Sequence, residues 1–359
     1  MKSSINARFA LDYGTFNLDA DLALPGTGIS VLFGPSGSGK TTLLRCIAGL
    51  ERPAQGYLEV NGTVWQDSSQ GFFLPPHKRA LGYVFQDANL FPHLSVYGNL
   101  CFGLKRIGLK PAAAGLEQTV ELLGIGHLLD RMPERLSGGE KQRVGIARAL
   151  VLKPDILLMD EPLASLDFQR KQEIVPYLAR LHQALEIPVV YVTHAWQEAA
   201  RLADHLVLMN GGRVAAAGPL AETLSRIDLP LAQDRKAVMV WEGRIAGHEA
   251  DYHLTRIACM GAELYTTAID ASAGTPVRVQ ICARDVSLAL EAPQATSILN
   301  VLPATVTGLA DDRKGQTVVR LQVGAHTLLS HITLKSKHSL GLKIGMSVYA
   351  QIKGTSILN

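Results

Sequence analysis

A chain of 359 residues, 47% hydrophobic and 19% charged, has the composition of a globular protein with a substantial core, and the length of two domains or of one with a large appendage. Its formal net charge of +3 implies no strongly basic face, so nucleic acid is not favoured as a partner. The four cysteines (Cys46, Cys101, Cys259, Cys282) are widely spaced with no CxxC pair, which fits free thiols in a reducing compartment better than a disulfide framework or a zinc site. The N-terminus, MKSSINARFALDYG, lacks the apolar core of a signal peptide. No apolar run approaches the roughly 20 residues that cross a bilayer, so any membrane role is expected to run through a partner.

The first two-thirds alternates strand-like and helix-like segments. Residues 29–33 are a β-rich run ending in a glycine-rich loop, followed by a helical pattern with Leu43, Leu44, Ile47 and Ala48 on one side. Residues 156–159 and 189–192 are short apolar runs without polar alternation, the pattern of parallel strands buried on both faces. After Gln86 the β pattern fades and residues 116–123 read as helix, which predicts a helical insertion over about residues 87–155. Asn210-Gly211-Gly212-Arg213 has hairpin-turn chemistry between two apolar runs. From about Arg235, short alternating runs at 277–281, 317–323, 327–332 and 348–352 predict a small antiparallel β-barrel or sandwich of oligonucleotide-binding-like topology. The expected map is 1–234, a β-rich extension at 235–290, and a last unit at 291–359. The pentapeptide Thr296-Ser-Ile-Leu-Asn300 recurs as Thr355-Ser-Ile-Leu-Asn359.

Gly34-Pro35-Ser36-Gly37-Ser38-Gly39-Lys40-Thr41 matches the phosphate-binding P-loop in its required context, a strand before and a helix after. Glycines let successive N–H groups point inward, and the helix N-terminus adds its positive end. Lys40 is expected to reach the β- and γ-phosphates and the Thr41 hydroxyl to ligate Mg2+, with Thr42 beside it in the nucleotide-binding set. The apolar run ending in Asp160-Glu161 delivers two acids at a strand's C-terminal edge. Asp160 is expected to hold a water on Mg2+ and Glu161 to act as general base for the attacking water. Leu136-Ser-Gly-Gly-Glu-Lys-Gln-Arg143 is a second phosphate-binding device at a helix start. Ser137 at the N-cap, with Gly138 and Gly139 allowing close approach, suits a phosphate held by another copy of the chain. A plain N-cap with Glu140 in the first turn is physically sound too, but leaves the glycines and Lys-Gln-Arg unexplained.

Together these motifs resemble the ATP-binding cassette family, which the Ser-Gly-Gly signature separates from other P-loop proteins. The resemblance implies an α/β P-loop NTPase with a helical insertion, hydrolysing ATP with Mg2+ as a homodimer with two sites. It implies further roles: Gln86 as the Q-loop glutamine acting on Mg2+ and the attacking water, Asp167 in the D-loop crossing the dimer interface, and His194 as the switch histidine at the γ-phosphate. Tyr13, before Gly14, is the expected adenine-stacking aromatic, with Phe16 the competing choice. Residues 89–96 resemble the importer-type region that docks a membrane subunit, and neither the coiled-coil insertion of repair cassettes nor the second P-loop of translation cassettes is visible. The expected setting is the cytoplasmic face of a bacterial inner membrane, peripheral on polytopic permease subunits, with a periplasmic or extracellular binding protein as an indirect partner.

Residues 296–306 and 349–356 resemble the molybdenum-pterin-binding-protein-like (Mop) domain of molybdate importer ATPases, a match covering roughly 291–359. It implies molybdate as cargo and as a regulatory ligand. Ser297, Asn300, Lys353, Thr355 and Ser356 offer the donors that a tetrahedral dianion needs. The chain departs from the family at Leu299, often arginine, and at Gly354, often serine or alanine. The competing readings are a purely structural β domain, tungstate or sulfate as cargo, and a soluble oxyanion-sensing ATPase without a membrane partner.

Overall fold

The computed structural model describes residues 4–312 and 315–358. They form two compact units, Met1–Gly218 and Pro219–Asn359. Among the described residues, no helix is long and apolar enough to cross a membrane.

The first unit is built on one sheet of eleven strands. Along it lie Phe72–Phe73, Thr63–Asp67, Gln55–Val60, Ser4–Asp12 and Asn17–Pro25, then Arg213–Pro219, His205–Asn210, Ile29–Phe33, Val189–Thr193, Ile156–Asp160 and Leu81–Val84. The last five run parallel, as the unalternated apolar runs require. The first five pair antiparallel. Asn17–Pro25 alternates strictly, with Leu18, Ala20, Leu22 and Leu24 buried and their neighbours exposed.

The helix Lys40–Ala48 packs Leu43, Leu44, Cys46, Ile47 and Ala48 into the core and stops at Gly49, whose φ of 75° is left-handed. Burial pushes the Cys46 thiol up to about 12. Arg79, only 5% exposed, donates from Nη1 to the carbonyls of Cys46 and Ile47, satisfying the end of this helix. The helical insertion comprises Val96–Ile107, Pro111–Ala114 and Leu116–Leu122, and leads to the helix Gly138–Leu150. Asn99, fully buried, accepts from Phe91 N–H and donates to the carbonyls of Phe91, Leu94 and Ser95, which fixes the loop before the insertion.

The second unit holds two antiparallel five-stranded sheets. One is ordered Ala262–Thr267, Leu254–Cys259, Val238–Glu249, Pro276–Cys282, Ser356–Ile357; the other Val286–Ala289, Ser347–Ile352, Asn300–Asp311, Gln316–Val323, His326–Thr333. Bulges at Ile245/Gly247 and Val306/Gly308 bend the two longest strands and curl the sheets. Residues 235–290 are therefore no separate extension, because Ser356 and Ile357 at the chain's end pair with Gln280 and Val279. The unit also begins earlier than residue 235: Leu220, Leu224, Leu229 and Ala232 are buried in it, and His331 Nε2 meets the Ala232 carbonyl at 2.8 Å. Trp241 donates from Nε1 to the Thr327 carbonyl and stacks on His326, joining the two sheets.

The hairpin turn at 211–212 braces the glycine-rich loop, since Gly212 N–H donates to the Ser38 carbonyl at 3.1 Å. A Cβ at Gly212 would lie 1.8 Å from the Asn17 carbonyl oxygen, whereas one at Gly211 meets nothing within 4 Å. Both glycines have positive φ. Gly211→Ala should cost about 1 kcal/mol for the left-handed backbone alone, and Gly212→Ala clearly more, as urea titration of the two variants will measure.

Candidate active site

The parallel strands end at one edge, and the loop after Phe33 opens it. Gly37 and Gly39 take φ of 78° and 97°, which turns the backbone into a curl ahead of the helix. A Cβ on Gly34 would sit 2.2 Å from the Met209 carbonyl oxygen, so only glycine fits there. Lys40 Nζ donates to the carbonyls of Gly34 and Pro35 at 2.9 and 2.8 Å and reaches Ser38 Oγ at 3.5 Å. Burial lowers the Lys40 pKa, while Glu161 and Asp160 oppose that shift. A cavity of about 310 Å³ lies over this loop, lined by Phe16, Ser36, Gly37, Gly39, Lys40, Thr41, Thr42 and Glu161.

The two acids arrive from the strand Ile156–Asp160. Thr41 Oγ1 donates to Asp160 Oδ1 at 2.8 Å, and the Tyr83 hydroxyl donates to Asp160 Oδ2 at 3.1 Å. Burial raises the Asp160 pKa against the pull of these two hydrogen bonds. Tyr83 escaped the sequence reading because nothing in its neighbourhood marks it; only the strand pairing shows that it faces an acid. Glu161 has φ of 44°, unusual for a side-chain-bearing residue, and is held there by Val192 O and Ala164 N. From it, Oε2 stands 3.0 Å from His194 Nδ1. A hydroxyl and a carboxylate within 2.8 Å, beside a cavity lined by the glycine-rich loop, are the hard-oxygen donors that a phosphate-bound divalent cation takes.

Other expected residues stand elsewhere. Of the two candidate aromatics, Tyr13 is half exposed with its phenol beside Glu51, while Gly14 at φ 78° turns the chain and Phe16 lines the cavity against Gly39. Gln86 is exposed and does not line the cavity, although it follows the strand Leu81–Val84 at the same edge. Asp167 N-caps the helix Phe168–Ala184, accepting from Arg170 N–H at 3.0 Å. Ser137 and Glu140 form a complete capping box, Ser137 N–H to Glu140 Oε2 at 2.7 Å and Glu140 N–H to Ser137 Oγ at 3.2 Å. Gly138 also has a packing role that the sequence did not suggest, since a Cβ there would meet Leu166 Cδ2 at 2.9 Å. Ser137, Gly138, Gly139 and Asp167 all lie outside the lining of the P-loop cavity.

A second cavity, of about 440 Å³, runs between residues 87–92 and the start of the signature helix, touching Pro133, Glu134, Gly138, Lys141, Gln142 and Ser165. Two side chains of that helix hold its wall: Gln142 donates to the Phe85 carbonyl, and Arg148 to those of Ala88 and Asn89.

In the second unit two of the expected oxyanion donors are engaged with the backbone. Asn300 is 7% exposed; its Oδ1 accepts from Tyr265 N–H at 2.7 Å and its Nδ2 donates to the Tyr265 carbonyl at 2.9 Å. Thr355 Oγ1 donates to the same carbonyl at 3.3 Å. Asn300 and Thr355 thus act as backbone clamps on one residue, Tyr265. Both copies of the repeated pentapeptide converge there, and Asn359 lies outside the described residues. Ser297, Lys353 and Ser356 are exposed. Asn300→Ala should destabilise the chain by about 2 kcal/mol by orphaning two backbone groups, and Ser297→Ala by less than about 0.5 kcal/mol, in thermal unfolding.

Comparison with known proteins shows the family to which the chain belongs. Residues 18–164 match the family model described as ABC transporter, and residues 296–358 match the TOBE domain. The molybdenum import ATP-binding protein ModC of Aromatoleum aromaticum is 56% identical over 99% of this chain and 94% of its own length. Those of Methylococcus capsulatus and Pseudomonas aeruginosa are each 54% identical over 99% of both chains. Among solved structures, cbiO1 from Clostridium perfringens, part of the ABC transporter complex cbiONQ, is similar with a TM-score of 0.56 and 26% identity, covering 63% of this chain and 92% of that one. The chain belongs to the ABC transporter family, among the ATPase subunits represented by the ModC proteins.

Proposed function

We propose that this ATPase is the energy-coupling subunit of a molybdate importer and works as a homodimer that closes on two ATP molecules. The observation that carries the dimer is the division of groups: Lys40, Thr41 and Glu161 share one cavity, while Ser137 and its helix N-terminus lie outside it. A second copy supplies that serine. Its hydroxyl and the N–H groups of its helix then meet the γ-phosphate across the interface, with Asp167 beside the contact.

Within each site the chain's own residues divide the work. Loop residues 34–39 present N–H groups to the phosphates, and Lys40 moves its ammonium from the loop carbonyls to the β- and γ-oxygens. Glu161 accepts the proton of the attacking water, and His194, hydrogen-bonded to it, faces the γ-phosphate. Thr41, Asp160 and Gln86 would hold Mg2+, which would supply positive charge to the phosphate oxygens when bound. Phe16 stacks on adenine.

The cavity beside residues 87–92 supports docking of a segment of a polytopic permease, and on this reading the protein works peripherally at the cytoplasmic face of the inner membrane, indirectly served by an extracytoplasmic binding protein. The cargo assignment rests on the names of the ModC relatives and on the TOBE match. Regulation by molybdate at the second unit rests on Ser297, Lys353 and Ser356 alone, once Asn300 and Thr355 are set aside.

Hydrolysis per chain should rise with protein concentration, and a rate independent of concentration across the monomer–dimer range would sink the two-copy site. Glu161→Gln should slow hydrolysis more than about 100-fold while an ATP-held dimer persists in light scattering. Phe16→Ala should raise the KM for ATP about tenfold, as loss of one stacked base implies, with Tyr13→Ala within about twofold of the parent. In vesicles carrying the permease complex, molybdate-loaded binding protein should stimulate hydrolysis where sulfate does not.

A further inference from the structure

We propose that Glu198 is a positioning residue for His194, and that Lys171 makes this positioning depend on the helix that starts at Asp167. The proposal rests on the reading of His194 as the residue facing the γ-phosphate.

Glu198 sits in the first turn of the short helix Trp196–Leu202 and is only 6% exposed. A carboxylate so buried is costly unless donors surround it. Three do. Glu198 Oε2 accepts from Thr193 Oγ1 at 2.8 Å and from the Tyr191 hydroxyl at 3.0 Å, and Oε1 accepts from Lys171 Nζ at 3.1 Å. Burial, with the Glu198 carboxylate beside it, holds the Tyr191 phenol in its protonated, donating form.

The consequence falls on the residue between these anchors. Thr193 Oγ1 also accepts from the Ala195 N–H at 3.0 Å, so the residues on both sides of His194 are fastened to one oxygen, and that oxygen to one carboxylate. His194 itself is half exposed, and its Nδ1 stands 3.0 Å from Glu161 Oε2. The direction of its ring toward the phosphate is set by that carboxylate and by the backbone on either side. Lys171 brings in the second helix. It stands one turn after Asp167, which N-caps that helix, so a shift of the helix start alters the pull on Glu198 and with it the pitch of the 193–195 turn. A catalytic group displaced by about 1 Å loses much of its effect on rate, so this linkage needs no large motion.

Full-length Glu198→Gln keeps the size of the side chain but loses its charge for Lys171; Thr193→Val removes the shared oxygen and leaves the ion pair. Each is to be made alone and with His194→Ala, measuring kcat, the KM for ATP and the thermal midpoint. Each single change should lower kcat about tenfold with KM within about twofold, and neither should lower kcat further in the His194→Ala background, since groups acting through one residue are not additive. Losses that multiply in that background, or a KM that rises in step with a falling thermal midpoint, would show a fold support only and overturn the proposal. If His194→Ala slows hydrolysis while Glu198→Gln does not, the site reading stands and the positioning role falls. If His194→Ala leaves kcat unchanged, both fall together.

Discussion

The three central parallel strands of the first unit, Ile29–Phe33, Val189–Thr193 and Ile156–Asp160, are buried on both faces, and that constraint shapes the rest of it. A strand such as Ile156–Asp160 has no solvent side on which to carry polar chemistry, so its charged residues gather where it ends. Because neighbouring strands run the same way, those ends coincide. The glycine-rich loop after Phe33, the acids after Met159 and the histidine after Thr193 come to one edge without any local sequence relation among them. The hydrogen bond between Thr41 and Asp160 is the direct product: two residues 119 positions apart, joined because their strands lie two apart in the sheet.

The same reasoning separates what the sequence made legible from what it did not. Lys40, Thr41, Asp160 and Glu161 sit in contiguous motifs whose backbone sets their direction, and they appear where the spacing implied. Tyr83 and Glu198 belong to no motif; each matters through a partner on another element, which only the fold brings near. Phe16 and Tyr13 differ by a turn at Gly14, and an aromatic's side of a turn cannot be read from its identity. The strict alternation of Leu18, Ala20, Leu22 and Leu24 was in plain view, and it builds the antiparallel half that the strand assignment left out.

The second unit teaches a related lesson about donors. Asn300 has the amide that an anion site wants and lies in the repeated pentapeptide, yet both ends of that amide are matched to the N–H and C=O of one residue 35 positions upstream. A buried amide left for a ligand would be unsatisfied whenever the ligand departs, at a cost of about 1–3 kcal/mol. Using it to pin the strand Ala262–Thr267 removes that penalty. The second pentapeptide, through Thr355, pins the same residue, so the repeat marks two clamps on one strand.

The capping box at Ser137 carries a consequence for the signature as a chemical device. The serine oxygen accepts from the Glu140 N–H within its own helix, while its hydroxyl proton is within reach of the Glu140 carboxylate. One group thus serves its helix through the lone pair and carries a proton that the proposed phosphate contact would recruit. Alanine forfeits both functions. Aspartate would keep the inward one while setting a negative charge against phosphate. Among the usual capping residues only serine and threonine supply the compact hydroxyl that satisfies both, which makes residue 137 narrower in its chemistry than either helix capping or anion binding would require alone.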